Sequence, residues 1–159
     1  MIKTFNEFIN ESKDFDLNNL STISIDNLVG KLDQLEQASR VRMFLSCHYA
    51  FFPFVEQILD KTKGKWEFES IDCSKLGDED INKMKDEEHT IFFLKDIQRI
   101  DLDLLRNLLS AIFKNEVGKF ILAANNADKE HFNKFIDKFN EKSSEMDKFN
   151  FMFEVEFKD

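Results

Sequence analysis

Apolar runs alternate along the chain with segments whose apolar positions fall three and four apart, and that alternation predicts the elements. VRMFLSC (41–47), HTIFFLKD (89–96) and KFILAAN (119–125) are nearly continuous apolar runs, the pattern of strands covered on both faces. KWEFESIDC (65–73) alternates instead, with Trp66 and Phe68 on one side and Glu67 and Glu69 on the other. FNFMFEVEF (149–157) alternates more strictly, placing Phe149, Phe151, Phe153, Val155 and Phe157 together. Between these runs, PFVEQILDKTK (53–63), LDLLRNLLSAIFKN (102–115) and DKEHFNKFIDKFNEK (128–142) carry helical spacing, clearest in Phe132, Phe135, Ile136 and Phe139. A shorter helix is expected around 78–86. Upstream, STISIDNLVGKLDQLEQASR offers a short extended piece, a cap at Asp26 and a helix marked by Leu32 and Leu35. Residues 3–11, KTFNEFINE, set Phe5, Phe8 and Ile9 at helical spacing, and SKDFDLNN after them reads as a polar tether.

Strands alternating with helices imply parallel strands joined by crossovers. Continuous apolar strands belong in the middle of such a sheet and alternating ones at its edges. The expected fold is therefore a three-layer α/β sandwich around a five-stranded, mainly parallel sheet, with the strands opening at 65 and 149 outermost. Residues 1–21 form an N-terminal amphipathic helix and tether, and 22–159 the α/β domain. The charges on the last strand suit an edge that must resist pairing with other chains.

Four local phrases, in this order and spacing, resemble the α/β core of AAA+ and related P-loop ATPases over roughly residues 22–157. TISIDNLVGKLDQLEQ is similar to the segment ahead of that family's first strand. IFFLKDIQRID resembles its Walker B strand, LDLLRNLLSAIF the following helix, and KFILAANNADKE the sensor-1 strand. The resemblance implies the strand order 5-1-4-3-2 and places a nucleotide site at Cys47, His48, Tyr49, Lys95, Asp96 and Asn126.

The chain departs from the family where nucleotide chemistry is done. A phosphate loop needs glycines, because its inward N–H groups adopt conformations and distances that a Cβ forbids. It also needs a Lys for the outer phosphates and a Ser or Thr for magnesium. Between the first strand and its helix stand Cys47, His48, Tyr49, Ala50, Phe51, Phe52 and Pro53, with no glycine. Pro53 suits a first helical turn, and Phe51, Phe52 and Phe54 would fill the space. Lys95 stands where the family holds magnesium with Asp, and Asp96 where it places the catalytic Glu. Asn126 keeps the sensor-1 residue type. None of the four arginines, Arg40, Arg42, Arg99 and Arg106, lies at the family's arginine-finger position, and no lid segment follows the last strand.

Composition narrows the remaining classes. With 159 residues, 42% hydrophobic and 33% charged, the chain suits one soluble domain. A net charge of −9, with Lys interspersed among Asp and Glu, argues against binding nucleic-acid backbone. Nineteen Phe against one Tyr and one Trp fits an A/T-rich coding sequence. Cys47 and Cys73 lack a repeated spacing and read as reduced core residues. No pair among His48, His89 and His131 has metal-ligand spacing, and zinc with both cysteines would need strands this topology separates. Cys47 and His48 are adjacent on an extended chain and point to opposite sides, which opposes a nucleophile–base pair. No apolar run is long enough to span a membrane, and MIKTFNEFINES lacks a signal's apolar centre, so a cytoplasmic location is expected. That phrase is similar to the openings of proteins from large contractile-tailed phages, and Ile9-Asn10-Glu11 to the pattern their prohead proteases cut after. An infected bacterium's cytoplasm or a virion is then implied.

The expected function is that of a non-catalytic AAA+-like domain that binds another protein, an active ATPase or a phage assembly component. It needs no cofactor or metal, and Tyr49, Phe51, Phe52, Phe5 and Phe8 are candidates for docking the partner. One alternative is a small enzyme or ligand-binding protein using the strand-end cluster Cys47, His48, Lys95, Asp96 and Asn126. Another is an acidic mimic of nucleic acid.

Overall fold

A computed structural model describes residues 21–38, 40–140 and 151–156. Phe5, Phe8 and the N-terminal helix and tether lie outside the described residues. Six strands form one sheet, β1 (Ser21–Ser24), β2 (Val41–Cys47), β3 (Glu67–Asp72), β4 (Thr90–Lys95), β5 (Lys119–Asn125) and β6 (Phe151–Glu156), in the order β1-β6-β2-β5-β4-β3. Every pairing is parallel.

Among the described residues, five α-helices cover it: α1 (Ile25–Asp33), α2 (Phe52–Thr62), α3 (Asp78–Lys85), α4 (Leu102–Lys114) and α5 (Lys129–Asn140). Alternate residues of each central strand enter opposite cores. Met43 and Leu45 of β2 pack with Leu28 and Leu32 of α1 and Val55 and Leu59 of α2. Phe44 between them packs with Met84 of α3, Leu108 and Ile112 of α4 and Phe135 and Phe139 of α5. Both faces of β2 and β5 are consequently buried, as continuous apolar strands require. Burying each large side chain stabilises the fold by about 1.5–3 kcal/mol.

Three expectations are corrected. The sheet has six strands rather than five, so its order differs from the five-strand one: Ser21–Ser24 adds beyond β6, pairing Ile23 with Val155. β6 is in turn an interior strand, between β1 and β2, while β3 is an edge. Alternation reports a solvated face rather than a free edge: Glu154 is exposed and its neighbour Val155 buried. Finally, the cap of α1 is Ser24, whose hydroxyl accepts from the Asn27 N–H at 3.2 Å, and Asp26 sits in the first turn. A serine hydroxyl at the extended residue before the helix satisfies one of its orphan N–H groups, and Asp26 adds a charge favourable to the helix dipole.

Among the described residues, no helix is long and apolar enough to cross a membrane.

Candidate functional site

The carboxyl ends of β2, β5 and β4 lie side by side, and parallel α/β sheets place ligands in the crevice beyond such ends. The chain after β2 is short. Cys47 ends the strand, His48 follows, Tyr49–Phe51 make one 3-10 turn, and α2 begins at Phe52 with Pro53 in its first turn. The Tyr49 N–H donates to Asn125 Oδ1 at 3.2 Å, and the Ala50 N–H to His48 Nδ1 at 3.1 Å. The Phe51 N–H donates to the His48 carbonyl at 2.9 Å, and the Phe52 N–H to the Tyr49 carbonyl. Pro53 has no N–H. The donors from Tyr49 to Phe52 are therefore all committed within the chain.

The aromatic side chains divide. Phe51 and Phe52 are buried, at 3% and 6% exposure, with Phe52 edge-on to Phe93 at 6.1 Å. They are core residues, which corrects their candidacy for docking. Tyr49 is 57% exposed with its ring 4.4 Å from that of His48, and Phe54, 37% exposed, leans on Phe51 at 5.0 Å. Cys47 is buried and its thiol is pushed up to about 12 by loss of solvation, so it stays protonated at neutral pH and is a poor nucleophile. His48 is exposed and its Nδ1 already accepts a hydrogen bond.

At the end of β4, Lys95 and Asp96 are both half-buried and turn to different partners. Lys95 Nζ lies 3.4 Å from Glu56 Oε1 of α2. Asp96 takes a left-handed conformation, φ 57°, and accepts from Gln98 Nε2 at 2.6 Å. Asp tolerates that region better than most residues because its short carboxylate can bond locally.

The residues that tie the strand ends together are Asn125, Gln98 and Asp128, none of them singled out by the sequence. Asn125 Oδ1 accepts from Tyr49 and, at 3.1 Å, from the Ala127 N–H, while its own N–H donates to Gln98 Oε1 at 2.8 Å. Gln98, 2% exposed, also reaches Asp128 Oδ2 at 3.4 Å. Asp128 accepts from Arg99 Nε at 2.8 Å and faces His131 Nδ1 at 3.0 Å. Asn126, the expected sensor, donates its backbone N–H to the Cys47 carbonyl at 2.9 Å and its side chain to Ser46 Oγ at 3.4 Å. The one available signal was Asn125 ahead of a turn, where an Asn oxygen commonly accepts from the N–H two residues on.

Burial would raise the Asp128 carboxyl, but the bonds from His131, Arg99 and Gln98 outweigh it and hold the group at about 2. Its unfolded value is near 3.9. A depressed carboxyl contributes stability that is complete above the unfolded value and lost as pH falls through the folded one. Acid unfolding between about pH 4 and pH 2 should accordingly be shallower for Asp128→Asn than for the parent, read as Tm against pH.

Among the described residues, no group of three His, Cys, Asp or Glu could hold a metal ion. No protein-family model and no curated protein matches the sequence. Solved structures do match it in shape. The Thermotoga maritima RuvB Holliday junction branch migration motor superposes with a TM-score of 0.56 at 11% identity, over 85% of this chain and 46% of the motor. A point variant of that protein gives 0.52 at 12% identity, over 84% of this chain and 44% of its own length. The fold is AAA+-like. At such identities the likeness is one of architecture, and the chain spans less than half the length of the proteins it superposes on.

Proposed function

We propose that this AAA+-like domain is non-catalytic and works by binding another protein. It would serve as an inactive subunit beside active ATPases, or as an assembly or regulatory factor. The phage-like N-terminal phrase favours the latter in a contractile-tailed phage. The observation that carries the reading is the commitment of every N–H from Tyr49 to Phe52, followed by Pro53.

A triphosphate is held by free backbone donors converging on its oxygens. Here those donors are spent, Phe51 and Phe52 occupy the interior, and Lys95 brings a cation to the Walker B end. These residues do not fit a magnesium nucleotide. Chemistry by the strand-end cluster is less favoured, because Cys47 is buried and protonated and Lys95 and Asp96 face separate partners. Titration calorimetry of the chain with ATP and magnesium should give no binding heat at micromolar concentrations. Micromolar affinity accompanied by phosphate release would overturn the reading.

A further inference from the structure

Among the described residues, the outer edge of β3 is open and β3 is hydrogen-bonded to β4 alone. In a parallel ladder, successive residues direct their N–H and C=O to opposite sides of the strand. The Glu67 N–H donates to the His89 carbonyl at 2.7 Å, so Glu67, Glu69 and Ile71 face β4. The N–H and C=O of Phe68 and Ser70 and the N–H of Asp72 then face outward, without a backbone partner among the described residues, while the Asp72 carbonyl caps the 3-10 turn Cys73–Lys75. From Phe68 to Asp72 the strand is half-exposed, whereas β2 and β5 are buried almost throughout. The Ser70 hydroxyl is buried and makes no hydrogen bond among the described residues.

Edges of this kind are ordinarily closed by a proline, a bulge or a covering segment. β3 contains neither proline nor glycine, and its protection is charge. Side chains alternate between faces. Glu67 and Glu69 lie on the α3 side, where Glu69 pairs with Lys83 at 2.7 Å. Phe68 packs on the opposite side, with the α1–α2 core. Lys65 and Lys75 stand just beyond the two ends of the strand. Like charges placed opposite each other on adjoining strands destabilise the pair, so two copies of this edge repel across Glu67. A basic strand is attracted there instead.

We propose that the β3 edge is a strand-addition site for an extended segment of a partner protein in which basic and apolar residues alternate. The basic side chains would lie beside Glu67 and Glu69, and the apolar ones beside Phe68 and over the small Ser70. Backbone bonds to Phe68, Ser70 and Asp72 would supply the affinity and the alternation its specificity. The inference rests on the protein-binding reading above, yet the two fail separately. Nucleotide turnover would remove that reading and leave the edge open, while an inert edge would leave the committed β2–α2 turn unchanged.

The test uses the full chain with two capped hexapeptides, one alternating Lys and Val and one alternating Glu and Val. With the Lys peptide, amide exchange at Phe68, Ser70 and Asp72 should slow by about tenfold or more, with Glu67, Glu69 and Ile71 unaltered because they are already in the ladder. The Glu peptide should do nothing. Ser70→Pro removes an outward donor and spares the β3–β4 ladder, so it should weaken the Lys peptide by about tenfold. Glu67→Lys with Glu69→Lys should weaken it similarly with the backbone intact, which covers the case of a proline variant that does not fold. Slow exchange at the three amides in the free chain, no protection by the Lys peptide, equal protection by both peptides, or undiminished binding by the variants would each overturn the proposal.

Discussion

Asn115→Ala is expected to lower folding stability by about 3 kcal/mol, read as a shift in the urea midpoint at constant slope. Asn115 follows α4 and is 4% exposed. Its Nδ2 donates to the Met84 and Glu87 carbonyls at 2.9 and 2.8 Å. Its Oδ1 accepts from the Val117 and Gly118 N–H groups at 3.1 and 2.7 Å. One carboxamide thus joins the end of α3, the end of α4 and the start of β5 with its bonding capacity filled. Alanine strands two carbonyls and two N–H groups, each costing about 1–3 kcal/mol if left dry. Exposed Glu116 and Val117 beside them admit some water, which keeps the loss well below the sum of those costs. Asn115→Asp retains the acceptor but points a carboxylate at two carbonyls, so its loss should be comparable.

Lys119→Met should cost a similar amount, about 3 kcal/mol, or roughly 6–12 °C in Tm for a chain of this length. Lys119 opens β5 and is fully buried. Its ammonium donates to the Leu35 carbonyl and, at 2.8 Å, to the Glu36 carbonyl, and lies 4.0 Å from the centre of the Trp66 ring. Burial pulls its pKa below the ordinary lysine value, with the Glu36 charge opposing that shift. Exchanging a buried charge for an apolar side chain can be neutral when its partners are exchanged too. Backbone carbonyls cannot be exchanged, so methionine fills the volume, strips the Glu36 carbonyl of its ammonium donor and leaves the Leu35 carbonyl with the Ala38 N–H alone. Trp66→Leu keeps both carbonyl bonds and removes the ring's attraction, worth about 0.5–2 kcal/mol, with part of its packing on the α1–α2 core and the His89 ring.

Periodicity made the helices legible because it reports burial, and burial is what stabilises them: Phe135, Ile136 and Phe139 of α5 are all in the core. It was less informative about neighbours in the sheet. STIS reads as a short extended piece but is too short to show a period that would place it in the sheet, and an alternating strand looks alike at an edge or inside a sheet with one wet face, so the pairing of β1 with β6 and the interior place of β6 were hidden. The candidate site divides in the same way. That Cys47, Lys95 and Asn126 stand at adjoining strand ends followed from the order of the elements. That Asn125 and Gln98 bind those ends together did not, because their bonds span 76 and 27 residues and a polar side chain ending a strand looks solvated. Lys119 was hidden for the same reason, its acceptors lying 83 and 84 residues away in the chain.

The place of β6 between β1 and β2 has a consequence for synthesis on the ribosome. Until β5 emerges, β3 and β4 are the only described strands that can pair with each other, and β1 has no described ladder to join before β6 is made. Among the described strands, β1 is made before the others and paired after them, across the widest sequence separation of any described pair, where closure entropy is greatest. During synthesis β1 waits unmatched for β6.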